Sequence, residues 1–370
     1  MSENWFKISN EDEVESPSIL LFPDRIKENI RRMIALAGNV QRLRPHVKTH
    51  KLPQVIQMQV DAGISRFKCA TLSEASMVAE NGGKDIIIAY PLYGPAIGRL
   101  FQLKKHYPKV KFSTVVDNIT QCQLIEQQAE SNGMPMDVFI DLDVGMERTG
   151  IKPGKEAFEL YVYLGASPWL QPRGLHIYDG HLHIPDATHR EAIADAYFIE
   201  VYRLIDELKN AGMEPEELAC GGTPSFPIHA KHPDRILCPG TLLLWDWRYF
   251  SQFSDLNFQH AAVLFCRVIS KPGSNKLCLD LGHKAVGSEM SPPRVHLLGI
   301  PDYNMEVHSE EHMVISFEGA DRFSVGDCIY GIPIHICPTM ALHDWARVVT
   351  DHQAKEKWQI KARTREVIFV

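Results

Sequence analysis

The chain has 370 residues, 45% of them hydrophobic and 23% charged, with a formal net charge of -7 and a pI near 6.2. That length exceeds one ordinary core and predicts two domains, and the acidic balance removes any electrostatic reason to expect nucleic acid or an anionic membrane as a partner. No run approaches the roughly 18 apolar residues of a membrane span, and the polar, acidic stretch from Met1 to Ser18 lacks the basic start and apolar core of a signal peptide.

In chain order, Ile19 to Phe22 reads as a strand and Pro23-Asp24 opens a helix, because a first-turn proline lacks only an N–H that has no partner there. Next comes Arg44-Pro45-His46-Val47-Lys48-Thr49-His50-Lys51, where His46, His50 and Lys51 crowd Lys48 at the end of an apolar-basic run. A lysine acts covalently as an amine that condenses with a carbonyl, and close neighbours with partial burial tune it for that work. Such a setting suits a Schiff-base lysine holding pyridoxal 5'-phosphate (PLP); a basic loop on a solvated face is the plain alternative. Arg66 to Ala70 is a strand, with Thr71 and Ser73 placed to cap a helix that carries Glu74 in its first turn. Ile86-Ile87-Ile88, within Asp85 to Tyr90, suits a strand buried on both faces, and Phe112 to Val116 and Val138 to Leu142 repeat the signal.

Asp141 to Gly150 ends a strand in charge and glycine; Arg148 there can hydrogen-bond a cofactor or pair with Asp141 or Asp143. Leu175 to Tyr178 is the next strand, followed by Asp179-Gly180-His181, where His181 is either an acid, base or metal neighbour or a plain surface histidine. A helix from about Arg190 to Lys209 aligns Ile193, Tyr197, Val201, Leu204 and Leu208 on one face, with Thr188 and Glu191 as a capping box and Gly212 past its end. After a strand at Glu217 to Cys220, Gly221-Gly222-Thr223-Pro224-Ser225 lets backbone N–H groups approach a phosphate, and Pro239-Gly240-Thr241 is a second candidate for the same phosphate; each alone reads equally as a turn. About eight strand–helix units predict a closed (β/α)8 barrel. From about residue 255 onward strands follow one another without long helices, so this region is read as mostly β. His335-Ile336-Cys337 puts two ligand types on one face of an extended segment, which suits a divalent metal, zinc especially, with positions left open, or is chance. The eight cysteines form no C-x-x-C pair and read as reduced, so the cytoplasm is the expected compartment.

Taken together, Arg44-Pro45-His46-x-Lys48-Thr49-His50-Lys51, Asp143-Val144-Gly145 with Arg148-Thr149-Gly150, Gly222-Thr223-Pro224-Ser225, Pro239-Gly240-Thr241, Asp280-x-Gly282-His283-Lys284-Ala285, Ser309-Glu310-Glu311-His312 and His335-x-Cys337-Pro338-Thr339 resemble one family over nearly the whole chain. It is the D-threonine aldolase and D-serine dehydratase group of PLP enzymes, related in fold to alanine racemase (PLP fold type III). The resemblance implies an α/β fold, with a TIM-like (β/α)8 barrel over 15–250, a β-rich metal-binding domain over 251–370 and residues 1–14 packed on the β domain. It implies PLP on Lys48, with His46, Arg148, Tyr178, Gly222, Thr223, Gly240 and Thr241 around the cofactor. His335 and Cys337 then hold a divalent metal (zinc, manganese or magnesium), Lys48 and His181 are catalytic, and the chain is a homodimer. Its expected activity is PLP- and metal-dependent cleavage of a β-hydroxy-D-amino acid to glycine and an aldehyde. D-serine dehydration to pyruvate and ammonia comes second, then amino-acid racemisation or a non-catalytic PLP carrier, with a metal-only barrel hydrolase also weighed. Two positions depart from the family pattern: Leu242 stands where an aromatic is common, and Cys337 where an aldolase can carry aspartate, which leans the metal toward zinc.

Overall fold

Two sheets organise the computed structural model, which describes residues 4–300 and 302–367. The chain enters through strand β1 (Ser18–Leu21) and helices α1 (Pro23–Ala37) and α2 (Pro53–Asp61). Strands and helices then alternate: β2 (Arg66–Cys69), α3 (Leu72–Glu80), β3 (Asp85–Ile88), α4 (Pro95–His106), β4 (Lys111–Val116), α5 (Ile119–Asn132), β5 (Met136–Leu142), α6 (Lys155–Ala166), β6 (Leu170–Ile177), α7 (Ala187–Asn210), β7 (Glu217–Cys220), α8 (Phe226–Ala230) and β8 (Arg235–Leu237). Strands β2 to β8 pair in sequence order as one parallel sheet. Residues 43–47 close the gap between its edges. Arg44 N–H donates to the Leu237 carbonyl (2.8 Å) and His46 N–H to that of Pro239 (2.8 Å), while Val47 N–H donates to Lys68 (2.9 Å) and Lys68 N–H returns to Pro45 (2.9 Å). The barrel is therefore the expected (β/α)8 type, with this short extended segment as its eighth stave.

Strand β1 sits elsewhere than the alternating pattern suggests. It pairs antiparallel with β9 (Ala262–Gly273) and parallel with β15 (Trp345–Thr350), in the second sheet. Ile19, Leu20 and Leu21 are all fully buried, and an apolar run buried on both faces looks the same in either kind of sheet. Helix α7 starts at Ala187, with the Asp186 side chain accepting the His189 N–H (2.7 Å), so Asp186 and not Thr188 is its cap. Thr71 caps α3 as expected, accepting the Glu74 N–H at 3.1 Å.

The second sheet follows α9 (Trp247–Gln252) and β9 with β10 (Lys276–Leu279), β11 (Val295–Leu297), β12 (Asn304–His308), β13 (Met313–Ser316), β14 (Cys328–Pro333), helix α10 (Ile336–Leu342), β15 (Trp345–Thr350) and β16 (Gln353–Gln359). Its order is β12-β13-β10-β9-β1-β15-β16, with β14 also on β9 and β11 on β14. Ile8 and Val14 pack with Phe265 and Tyr330 on one face. The His283-Lys284 and Ser309-Glu310 motifs dock on each other by backbone bonds, His283 N–H to Ser309 (2.9 Å) and Lys284 N–H to Glu310 (3.1 Å). Among the described residues no helix is long and apolar enough to cross a membrane.

An ion network fills the N-terminal end of the barrel. The Arg44 guanidinium, wholly buried, meets Asp85 (2.9 Å) and Glu217 (2.8 Å), and Arg173 meets Asp137 (3.1 Å) and Glu217 (2.6 Å). Burial alone pushes the Asp85 carboxyl up, but Arg44 and then Arg173 outweigh it and hold the group below its ordinary 3.8. Such a carboxylate adds stability above its unfolded pKa and loses it as pH falls through the lower folded value. Arg44→Met takes one arginine partner from each of Asp85 and Glu217, which keep Arg173, and should cost about 1–3 kcal/mol in denaturant titration at pH 7. The gap between variant and wild type should narrow as pH drops below 3.8; a gap that does not change with pH contradicts this account.

Candidate active site

The closing stave delivers Lys48 to a cavity of about 410 Å³ at the C-terminal ends of the barrel strands, walled also by Tyr178, Thr223, Thr241, His335 and Cys337. The Lys48 Nζ stands 5.7 Å from the centre of the Tyr178 ring. The Lys48 backbone N–H donates to His46 Nδ1 (3.3 Å). Burial, then the charges of Lys48, Lys68 and Lys51, hold His46 well below its ordinary 6.5 and so neutral, which leaves that nitrogen free to accept. Lys51 ends the segment with φ 54 and pairs with the buried Glu74.

Opposite Lys48, the turns after β7 and β8 come together. Thr223 Oγ1 accepts the N–H groups of Gly240 and Thr241, both at 3.1 Å. A Cβ on Gly240 would come within 2.9 Å of the His46 carbonyl oxygen, so only glycine lets the two loops approach. Asp179, buried behind the Tyr178 turn, accepts from Ser225 (2.7 Å), from Tyr197 (2.7 Å) and bonds His229 Nε2 (2.8 Å). Burial raises its pKa, but His229, Tyr197 and Ser225 together hold it down to about 2, and this fixed anion ties the β6 turn to the β7 turn. Two glycine–threonine turns with their hydroxyls on one wall, a lysine amine on another and a tyrosine ring in the same cavity fit PLP: a phosphate, an aldehyde and a planar ring.

His335 and Cys337 also face the cavity, but not from an extended segment. Strand β14 ends at Pro333, His335 is the N-cap of α10, and Cys337 lies in its first turn. They meet because the cap residue is extended (φ -131, ψ 107) while the next residues are helical. Burial opposes the charged forms of both; their mutual hydrogen bond and attraction outweigh it, with Asp246 and Glu289 also raising His335, to about 9, and with Lys48 and the Thr49 hydroxyl also holding the Cys337 thiol below its ordinary 9.0. His335 Nδ1 is 2.5 Å from Glu289 Oε1, a partner that orients an imidazole ligand. An imidazole and a thiol side by side fit a divalent ion with open positions; no cluster of three or more His, Cys, Asp or Glu ligands, as a closed structural site needs, exists among the described residues.

Other candidates fall less centrally. His183, rather than His181, lines the cavity. The His183 N–H donates to the His181 carbonyl (2.8 Å) in a tight turn, and the His181 ring packs towards Tyr197 and Gly145. Arg148 is exposed, pairs with neither Asp141 nor Asp143, and holds its guanidinium 4.9 Å from the Tyr178 ring centre. Sequence reading missed Lys68, nearly buried at 2% exposure, whose Nζ is 3.3 Å from His176 Nε2; His176 Nδ1 is 2.7 Å from Asp141. An alternating lysine inside an apolar strand is the one signal that could have marked it. Arg248, Tyr249 and His183 were missed as well, since nothing in their local spacing announces a cavity wall.

Residues 23–245 match the family described as the alanine racemase N-terminal domain, and residues 261–349 match the putative serine dehydratase domain. The chain is 29% identical over 357 residues to a D-threonine aldolase of Arthrobacter sp, covering 95% of this chain and 93% of that protein. It is 27% identical over 368 residues to a 3-hydroxy-D-aspartate aldolase of Paracoccus denitrificans (strain Pd 1222), covering 96% and 93%. The crystal structure of D-threonine aldolase from Filomicrobium marinum superposes with a TM-score of 0.88 at 26% identity, over 96% of this chain and 97% of that one. The chain belongs to the alanine racemase N-terminal domain family, with a putative serine dehydratase domain behind the barrel.

Proposed function

We propose that this protein is a PLP-dependent lyase that cleaves β-hydroxy-D-amino acids to glycine and an aldehyde. One observation carries the reading. Lys48 and the His335–Cys337 pair border the same cavity, and Thr49, next to Lys48, reaches the Cys337 sulfur with its hydroxyl at 3.1 Å. Lys48 would hold the cofactor, Tyr178 would support its ring, and the Gly222-Thr223 and Gly240-Thr241 turns would take its phosphate. PLP, when bound, draws electrons from the Cα of an attached amino acid. His335 and Cys337 would hold a divalent ion, which would supply Lewis-acid chemistry there. His183 takes the hydroxyl proton: burial first, and then the charge of Arg248, keep its ring below the ordinary 6.5 and so able to accept. The Cα–Cβ bond breaks, its electrons pass to Cα, and the Lys48 amine returns a proton there. His181, behind this wall, steadies the turn that carries His183.

The match to the putative serine dehydratase domain favours a second outcome on the same residues. There Lys48 removes the Cα proton, hydroxide departs, and a keto acid and ammonia follow. The wider reading makes the chain a cytoplasmic homodimer, supported by eight free cysteines and by exposed Tyr90, Tyr93 and Phe250 at the cavity end of the barrel.

Incubation with D-threonine should release glycine and acetaldehyde in equal amounts; 2-oxobutanoate and ammonia would identify the dehydratase instead. Borohydride reduction of the holoenzyme should leave the cofactor covalently on the peptide that contains Lys48. Lys48→Ala should lose that tag and roughly a thousandfold of activity, and a tag on any other lysine rejects the assignment. His335→Ala should keep the tag yet lose roughly a hundredfold of activity, as should wild-type enzyme in chelator. Full turnover in chelator means the pair holds no catalytic ion.

A further inference from the structure

Resting on the lyase reading above, we infer that Arg248 selects substrates bearing a carboxylate on the β-carbon, so that β-hydroxy-D-aspartate is cleaved in preference to D-threonine.

The first turn of α9 is fastened to both sides of His335. Asp246, its buried cap, accepts the Tyr249 N–H with one oxygen (3.0 Å) and the Ile336 N–H with the other (3.2 Å). The Arg248 backbone N–H donates to the Ile334 carbonyl at 3.2 Å. The backbone of Arg248 is thereby held next to the residue pair that receives the β-hydroxyl, and its side chain lines the same cavity. A second substituent on that β-carbon therefore arrives beside the guanidinium.

The guanidinium has little else to do. Among the described residues it forms no ion pair; its one side-chain partner is the weakly accepting Met290 sulfur at 3.8 Å, and its Nε is buried with no acceptor. The nearby carboxylates are engaged elsewhere, Asp246 with two backbone N–H groups and Glu289 with His335. The other cavity cations also have different stations: Lys68 points down to His176 and Arg148 lies against Tyr178. A planar fork with unused donors matches a carboxylate. The methyl group of D-threonine would leave those donors without that partner, the buried Nε among them. In the favoured substrate the Cα–Cβ bond breaks, its electron pair stays on Cα and is protonated there, and the hydroxyl proton passes to His183. Glycine and glyoxylate result, with every atom accounted for.

The test is a ratio, which a general loss of folding does not move. Wild type should show kcat/KM for β-hydroxy-D-aspartate at least about tenfold above that for D-threonine, Arg248→Gln should abolish the preference, and Arg248→Lys should restore part of it. A wild-type preference for D-threonine, or a ratio unchanged in Arg248→Gln, overturns the assignment to Arg248 while leaving the lyase reading intact. Calorimetry gives a measure that needs no turnover. The holoenzyme should bind D-malate at least about tenfold more tightly than (S)-3-hydroxybutyrate, in which a methyl group replaces the carboxylate on the hydroxyl-bearing carbon, and Arg248→Gln should bind the two alike; equal binding by wild type also overturns the inference. Failure of the lyase reading looks different: no cleavage of either amino acid whatever the calorimetry reports.

Discussion

Everything in the active-site region depends on four backbone hydrogen bonds that hold residues 43–47 between β8 and β2. This stave completes the barrel and at the same time carries His46 and Lys48, so closing the fold and positioning the amine are one event. Neither can be shifted alone. The stave also extends its influence beyond the barrel, because Thr49 reaches the Cys337 sulfur at 3.1 Å and His46 packs on Gly240. One short segment thus sets the distance between the lysine, the phosphate turns and the His335–Cys337 pair. An amine held on a barrel stave is located more firmly than one on a loop, which is what chemistry at a defined atom requires.

The cavity collects cations from separate elements: Lys48, Lys68, Arg148 and Arg248 all stand on or beside its walls. Few carboxylates oppose them there. Asp141 acts through His176, Asp179 is spent on His229, Tyr197 and Ser225, and Asp246 is turned to backbone, with burial pushing its pKa up to about 6. The chain as a whole is acidic, yet the cleft at the C-terminal ends of its barrel strands favours anions. Net charge therefore says nothing about this ligand; the local sum does. The opposite end of the barrel balances the books within itself, with Arg44 and Arg173 each shared between carboxylates at the strand starts.

Much of this was legible in the sequence because several motifs carry their chemistry locally. The crowding around Lys48, the two glycine–threonine turns and the close spacing of His335 and Cys337 each pointed to a role before any contact was known. Strand–helix alternation likewise gave the barrel, since buried parallel strands are continuous apolar runs. What stayed hidden depends on contacts between distant segments. Ile19 to Leu21 has the composition of a barrel strand, and only its pairing with Ala262 to Phe265 places it in the other sheet. His335 and Cys337 were read as strand neighbours, although a helix begins between them. Arg248 and His183 have no local signature at all, because a cavity wall is assembled from several elements.

The position of β1 has a consequence for how the molecule is made. It emerges early from the ribosome, yet its antiparallel neighbour begins at Ala262 and its parallel neighbour at Trp345. At a synthesis rate of roughly 5–20 residues per second, an apolar strand waits on the order of tens of seconds for its partners. Meanwhile β2 to β8 appear in the order in which they pair, and only the closing stave waits for β8. Assembly must therefore run outward from the barrel, and Ile19 to Leu21 need shelter, from a chaperone or from the young barrel, until their partners in β9 and β15 are translated.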